Sequence, residues 1–147
     1  MNYFRFIVAA VLCSAAGASA ALDFRNVGSA AIILYDAPSA RADKLFIAPR
    51  GMPLEVVLSY GEWVKVRDVT GELAWTEVKG LNHKASVIVR TANLKVRSSA
   101  DETATPAFIA DKGILLEVLE ASPSGWIKVR HRDGTSGFVK SADIWGQ

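Results

Sequence analysis

One pattern of residues occurs twice in this chain, in residues 31–75 and again in residues 93–138. At an offset of 62, Leu34 falls on Val96, Phe46-Ile47-Ala48 on Phe108-Ile109-Ala110, Gly51 on Gly113, and Leu54-Glu55-Val56 on Leu116-Glu117-Val118. An extra residue within residues 121–125 moves the offset to 63, after which Trp63-Val64-Lys65-Val66-Arg67 falls on Trp126-Ile127-Lys128-Val129-Arg130 and Gly71 on Gly134. So many ordered matches with one insertion mean a duplicated unit. The expected division is a leading segment over residues 1–20, a first unit over residues 22–82 and a second over residues 86–147, with residues 79–85 as a short linker.

Within each copy the pattern is that of strands. Ile127 and Val129 alternate with Trp126, Lys128 and Arg130, which puts the aliphatic pair on one face and the long side chains on the other. Residues 54–60 and 115–121 are aliphatic runs of strand length, bounded by Pro53, Gly61, Gly113 and Pro123. Asp133-Gly134 is a hairpin signal, and Thr70-Gly71 holds the same place in the first copy. No long window shows apolar residues at spacings of three and four, so helix is limited to a short turn near residues 141–144. The expectation is an all-β chain of two tandem small barrels, each of five short strands.

Residues 1–20 read as a secretory signal peptide. Arg5 precedes an apolar run from Phe6 to Ala16, and Ala18-Ser19-Ala20 supplies the small residues of a cleavage site. The run falls short of the roughly 20 apolar residues that span a bilayer, so no integral membrane segment is expected after cleavage. Export to a bacterial periplasm follows as the expected localisation. Cys13 follows Leu12, where lipid attachment calls for a small residue, so lipoprotein anchoring is not expected. Cleavage removes this single cysteine, and the exported part then rests on packing without disulfides.

The composition narrows function by exclusion. Half of the 147 residues are hydrophobic and 22% are charged, which is ordinary for a folded chain. The net charge of +2, from 17 basic and 15 acidic side chains, gives no one-signed field for nucleic acid. Two histidines and one cysteine are too few for the usual zinc, haem or iron–sulfur ligand sets, so no cofactor or metal is expected. His83 and His131 stand apart from any metal-binding spacing. Asp101-Glu102 and the Asp36/Asp43 pair sit in loop-like stretches and read as solvated turn residues.

The second copy resembles the bacterial SH3-like family. Leu94-Lys95-Val96-Arg97-Ser98, Gly125-Trp126-Ile127-Lys128-Val129-Arg130, and Asp133-Gly134 followed by Gly137-Phe138-Val139 stand in the family's order and spacing. The first copy diverges more: Glu62-Trp63-Val64-Lys65-Val66-Arg67 fits, while Ala74-Trp75-Thr76 replaces the glycine-aromatic-valine element. The arrangement is similar to that of tandem periplasmic SH3 domain proteins. The resemblance implies a non-enzymatic module, because none of the amidase or peptidase domains found beside such barrels fits in this chain.

The same resemblance puts Trp63 and Trp126 beside the groove between two long loops. Each either contacts a ligand there or caps its own barrel. Tyr35, in Leu34-Tyr35-Asp36, echoes a ligand-side tyrosine, but the second copy has Arg97 at that place. Lys140 and Asp143, and Glu77 and Gly80 in the first copy, replace the proline and tyrosine that complete an aromatic row, which disfavours proline-rich ligands. Lys65, Arg67, Lys128 and Arg130 share the tryptophan face and either meet ligand carboxylates or solubilise the strand. The expected partner is peptidoglycan, through its stem peptides. The alternative is a periplasmic protein–protein adaptor that docks an envelope protein.

Overall fold

The computed structural model describes residues 21–147, and the signal peptide expected over residues 1–20 lies outside the described residues. The described chain is all-β apart from two single 3-10 turns, at Val78–Gly80 and Ser141–Asp143. The first sheet comprises β1 (Phe24–Val27), β2 (Ile32–Tyr35), β3 (Lys44–Ala48), β4 (Pro53–Tyr60), β5 (Trp63–Arg67), β6 (Leu73–Glu77) and β7 (Leu81–Asn82). The second comprises β8 (Ser86–Val89), β9 (Leu94–Arg97), β10 (Pro106–Ala110), β11 (Leu115–Ala121), β12 (Trp126–Arg130), β13 (Ser136–Lys140) and β14 (Ile144–Trp145). Strand order is β3-β2-β6-β5-β4-β1-β7 in one and β10-β9-β13-β12-β11-β8-β14 in the other, so the duplication extends to topology.

Three details differ from the sequence expectation. Each unit has seven strands rather than five, because β1 and β8 precede the repeated segment and β7 and β14 have two residues each, too few to show alternation. The sheets are also not closed: the order runs from β3 to β7 and from β10 to β14 without a ladder joining the ends. Curvature comes instead from a bulge, where the register of β4 on β5 shifts between Val56 and Leu58, and that of β11 on β12 between Val118 and Glu120. Residues 79–85 are shorter as a linker than expected, since Lys79 and Gly80 belong to the 3-10 turn and Leu81 and Asn82 to β7.

Each sheet wraps its own core. Val27, Leu34, Leu54, Val64 and Val66 are buried in the first, and Val89, Val96, Leu116, Ile127 and Val129 in the second. The alternation along β5 and β12 is therefore as read from sequence, with Val64/Val66 and Ile127/Val129 inward. Thr76 takes the buried place that Val139 holds in the second copy, and its hydroxyl donates to the Ile33 carbonyl at 3.3 Å. That bond offsets the cost of burying a hydroxyl.

The units touch at a small polar and aromatic junction. Asn26 is buried although it points away from the first core, and its side-chain amide donates to Ser86 of β8. The Ser86 hydroxyl in turn donates to the Gly51 carbonyl. Trp145 of β14 meets Phe24 of β1 edge-on, ring centroids 4.9 Å apart at 87°.

Candidate functional site

The second unit opens a cleft of about 420 Å³ beside Trp126. Four pieces of chain build it. β12 supplies Trp126, β9 supplies Lys95 and Arg97, and the end of β13 with the following 3-10 turn supplies Lys140 and Asp143. The loop between β9 and β10 brings Glu102 across the opening, where its carboxylate pairs with the Lys140 ammonium. Lys140 lies directly opposite Trp126 in the β12–β13 ladder, and its Nζ stands 5.7 Å from the indole centroid. The ring quadrupole thus holds a cation at the cleft wall. Arg97 is oriented by donating to the Ala104 carbonyl at 3.0 Å. The Asp143 carboxylate accepts from the Thr91 hydroxyl at 3.1 Å.

The result is an aromatic face ringed by both signs of charge. Lys95 is exposed, while Trp126, Arg97 and Lys140 are half-buried, so their polar ends reach solvent from packed stems. Such a site can take a ligand that carries amine and carboxylate groups on one small frame.

The first unit has a different surface at the equivalent place. Tyr35 occupies the position of Arg97, and its ring packs edge-on against Trp63, centroids 5.6 Å apart at 79°. The pair is drawn together because Tyr35 lies opposite Trp75 on β6, which in turn borders β5. Glu77 faces Trp63 where Lys140 faces Trp126. Glu77 pairs with Lys79 at 2.6 Å, and this hydrogen bond raises the Lys79 pKa.

The basic residues of the tryptophan faces are not gathered at the cleft. Lys65 Nζ stands 6.0 Å from the Trp75 ring and Lys128 Nζ 5.9 Å from the Phe138 ring, each across one strand. Arg67 reaches Glu55 at 3.0 Å and Arg130 reaches Glu117 at 2.7 Å. Four residues along a strand amount to about 13 Å, so these arginines stand at the far end of the face from Trp63 and Trp126. Their partners lie opposite in the ladders, Glu55 facing Arg67 and Glu117 facing Arg130.

Lys95, Arg97 and Glu102 were not singled out as binding residues from sequence. A signal existed at Arg97: a duplicated position that holds Tyr35 in one copy and a cation in the other marks the surface where the copies diverge. Glu102 had none, because a loop's reach across a cleft leaves no periodic trace.

Of the acidic pairs, Asp36 and Asp101 are tied into turns, whereas Glu102 is the residue that pairs with Lys140 at the cleft. Asp36 accepts from the Asp43 amide at 3.1 Å. Asp101 accepts from the Thr103 amide and hydroxyl, which hold its carboxyl below the usual range. Asp133 is lowered first by the Thr135 amide and then by His131, whose Nδ1 lies 3.2 Å away. His83 is exposed between β7 and β8. Among the described residues no group of three or more metal-ligating side chains comes together. Nor is any helix among them long and apolar enough to cross a membrane.

Comparison with known proteins follows the same division of the chain. Residues 92–144 match a bacterial SH3 domain family, and residues 29–81 match a second family of the same description, bacterial SH3 domain. No curated protein matches the sequence. Among solved structures, NlpC1 from Trichomonas vaginalis is similar at 13% identity and a TM-score of 0.40, with 95% of this chain and 51% of that chain covered. An NlpC/P60 family protein from Bacillus cereus is similar at 15% identity and a TM-score of 0.39, with 84% of this chain and 56% of that one covered. This chain spans about half the length of those proteins. Two matches in tandem, laid over two sheets of one topology, identify the chain as a member of the bacterial SH3 domain family that carries two copies of the domain.

Proposed function

We propose that this protein is an exported, non-enzymatic binding module that contacts the cell wall, with peptidoglycan stem peptides as its ligand. The observation that carries the reading is the Trp126 cleft. Stem peptides bear free carboxylates and amines close together on short side chains, and the cleft offers Lys95 and Arg97 to the former and Glu102 and Asp143 to the latter. The indole gives a broad apolar contact at little entropic cost. Trp63, with Tyr35 already packed against it, plays the smaller part, and the Lys65, Arg67, Lys128 and Arg130 face serves mainly to keep the strands solvated. Residues 1–20 serve as the export signal, and the periplasm is the proposed location.

The test is co-sedimentation of the protein with purified sacculi. Retention is expected, with a loss of at least tenfold for Trp126→Ala and a clear loss for Lys95→Glu, an exposed residue whose replacement leaves the core untouched. Lys112→Glu, exposed outside the cleft, is the control and should bind as before. Absence of retention, or equal retention of all variants, sinks the wall reading.

An adaptor that docks an envelope protein is the second reading, and the open sheet ends favour it. β3 and β10 are edge strands, and Leu45, Ile47 and Ile109 on them are exposed. Such edges accept a further strand. Co-purification of one envelope protein, lost when Ile47 and Ile109 are changed to lysine, would support it.

A further inference from the structure

A second concave surface lies between the two units, a groove of about 880 Å³, and it has a chemistry unlike that of the Trp126 cleft. Its rim carries Arg50, Lys84, Arg130, His131 and Arg132 against one carboxylate, Glu117. Glu117 is committed to its neighbours, accepting from Arg130 at 2.7 Å and pairing with Lys84 at 3.2 Å. Arg50 and Arg132 are exposed, and among the described residues neither has a carboxylate within ion-pair distance. The floor is apolar, with half-buried Ile114 and Leu115 contributing to it and exposed Pro49 beside them.

The basic lining on the second unit's side of the groove reflects a difference between the copies. The groove's cations come from opposite units: Arg50 from the turn between β3 and β4, and His131 and Arg132 from the hairpin between β12 and β13. At the matching place in the first copy stand Asp68 and Val69. Asp68 is buried there and closes its own hairpin, accepting from the Thr70 amide at 2.8 Å and the Glu72 amide at 3.1 Å. In the second copy that work passes to Asp133, which accepts from the Thr135 amide at 2.8 Å. The hairpin thereby frees two positions, and both hold basic side chains that line the groove.

We propose that this groove is a second binding site, which takes a short acidic peptide segment whose carboxylates meet Arg50 and Arg132 while an apolar side chain rests on Ile114. Charge complementarity sets the sign of the ligand, since arginine recognises carboxylate in a fixed two-pronged geometry. Size and floor set its class. The volume falls within the range of sites that enclose a small organic ligand, and interfaces between domains are a usual place for them. A lone phosphate would leave the apolar floor uncovered. Nucleic acid would need aromatic platforms, and the lining holds no Phe, Tyr or Trp. The site does not use Trp126, so it stands apart from the wall-binding cleft.

Isothermal titration of the full chain with a synthetic peptide, acetyl-Leu-Glu-Glu-Leu-Glu-amide, tests the proposal. Binding is expected, weakened at least tenfold in the Arg50→Gln/Arg132→Gln variant, weakened likewise when the peptide's glutamates are replaced by glutamine, and unchanged in Trp126→Ala. Both arginines are exposed, so the double variant keeps its fold, which circular dichroism checks. The proposal is overturned if the peptide does not bind, if the glutamine peptide binds equally, or if inorganic phosphate displaces it at comparable concentration. It is also overturned if Trp126→Ala abolishes binding, which would put the peptide in the other cleft. Loss of sacculus retention in Trp126→Ala with peptide binding intact would separate the two sites.

Discussion

Trp145, near the end of the second unit, closes edge-on against Phe24, in the first strand of the first, with centroids 4.9 Å apart. The two rings are the main aromatic contact between units that otherwise have separate cores. A domain of about 60 residues without disulfides is marginal alone, so a contact of this kind supports both. Trp145→Ala is expected to cost about 2 kcal/mol, from lost burial together with the lost ring pair. A double-mutant cycle with Phe24→Ala, followed by urea unfolding, should return a coupling of about 1 kcal/mol. Additive effects would show that the contact does not join the units.

Gly146 packs the same junction through its lack of a side chain. Its φ is +128°, a region that side-chain-bearing residues rarely adopt, and a Cβ there would lie 2.7 Å from Pro53 Cβ and 2.8 Å from the Ser86 carbonyl oxygen. Gly146→Ala should therefore destabilise by about 1–3 kcal/mol and loosen the Asn26–Ser86 contact beside it. Thermal unfolding and the amide shifts of Asn26 and Ser86 would register both effects.

Asp68 closes the β5–β6 hairpin from a buried position, with one carboxylate oxygen accepting from the Thr70 amide, the Thr70 hydroxyl and the Glu72 amide. Asp68→Ala leaves these donors without their acceptor and should cost about 2 kcal/mol. Hydrogen exchange at the Thr70 and Glu72 amides should accelerate while exchange across β12 and β13 stays as it was, since the second unit closes its own turn through Asp133.

Glu117 has its pKa lowered by hydrogen bonds from Arg130 and Lys84, in that order. A carboxyl whose folded pKa is depressed stabilises the fold above its unfolded pKa of about 4.3, and that contribution fades as pH falls through the folded value. Stability of the native protein should therefore decline as pH drops below about 4.3, and Glu117→Gln should flatten that part of the profile. Urea unfolding of both proteins between neutral pH and acid compares them. Parallel curves would mean that the Lys84–Glu117–Arg130 cluster adds nothing to folding.

The sequence alone determined the repeat, the strand character of each copy and the inward faces of β5 and β12. These are local matters: Val64, Val66, Ile127 and Val129 declare their side by alternation, and Asp133-Gly134 declares its turn. Short elements such as β7 and β14 stayed silent because two residues carry no period, and β1 and β8 lay outside the compared segments. Only the tertiary structure decided what the faces do. It drew Arg67 and Arg130 into cross-strand ion pairs with Glu55 and Glu117, set Lys140 and Glu102 around Trp126, and brought Arg50 and Arg132 to one groove from turns in different units. The physical reason is distance along the chain. Burial and strand pairing are dictated by neighbours two or a few residues away, whereas a charge meets its partner or its ligand across folds of backbone whose curvature depends on bulges and on the docking of one unit against the other.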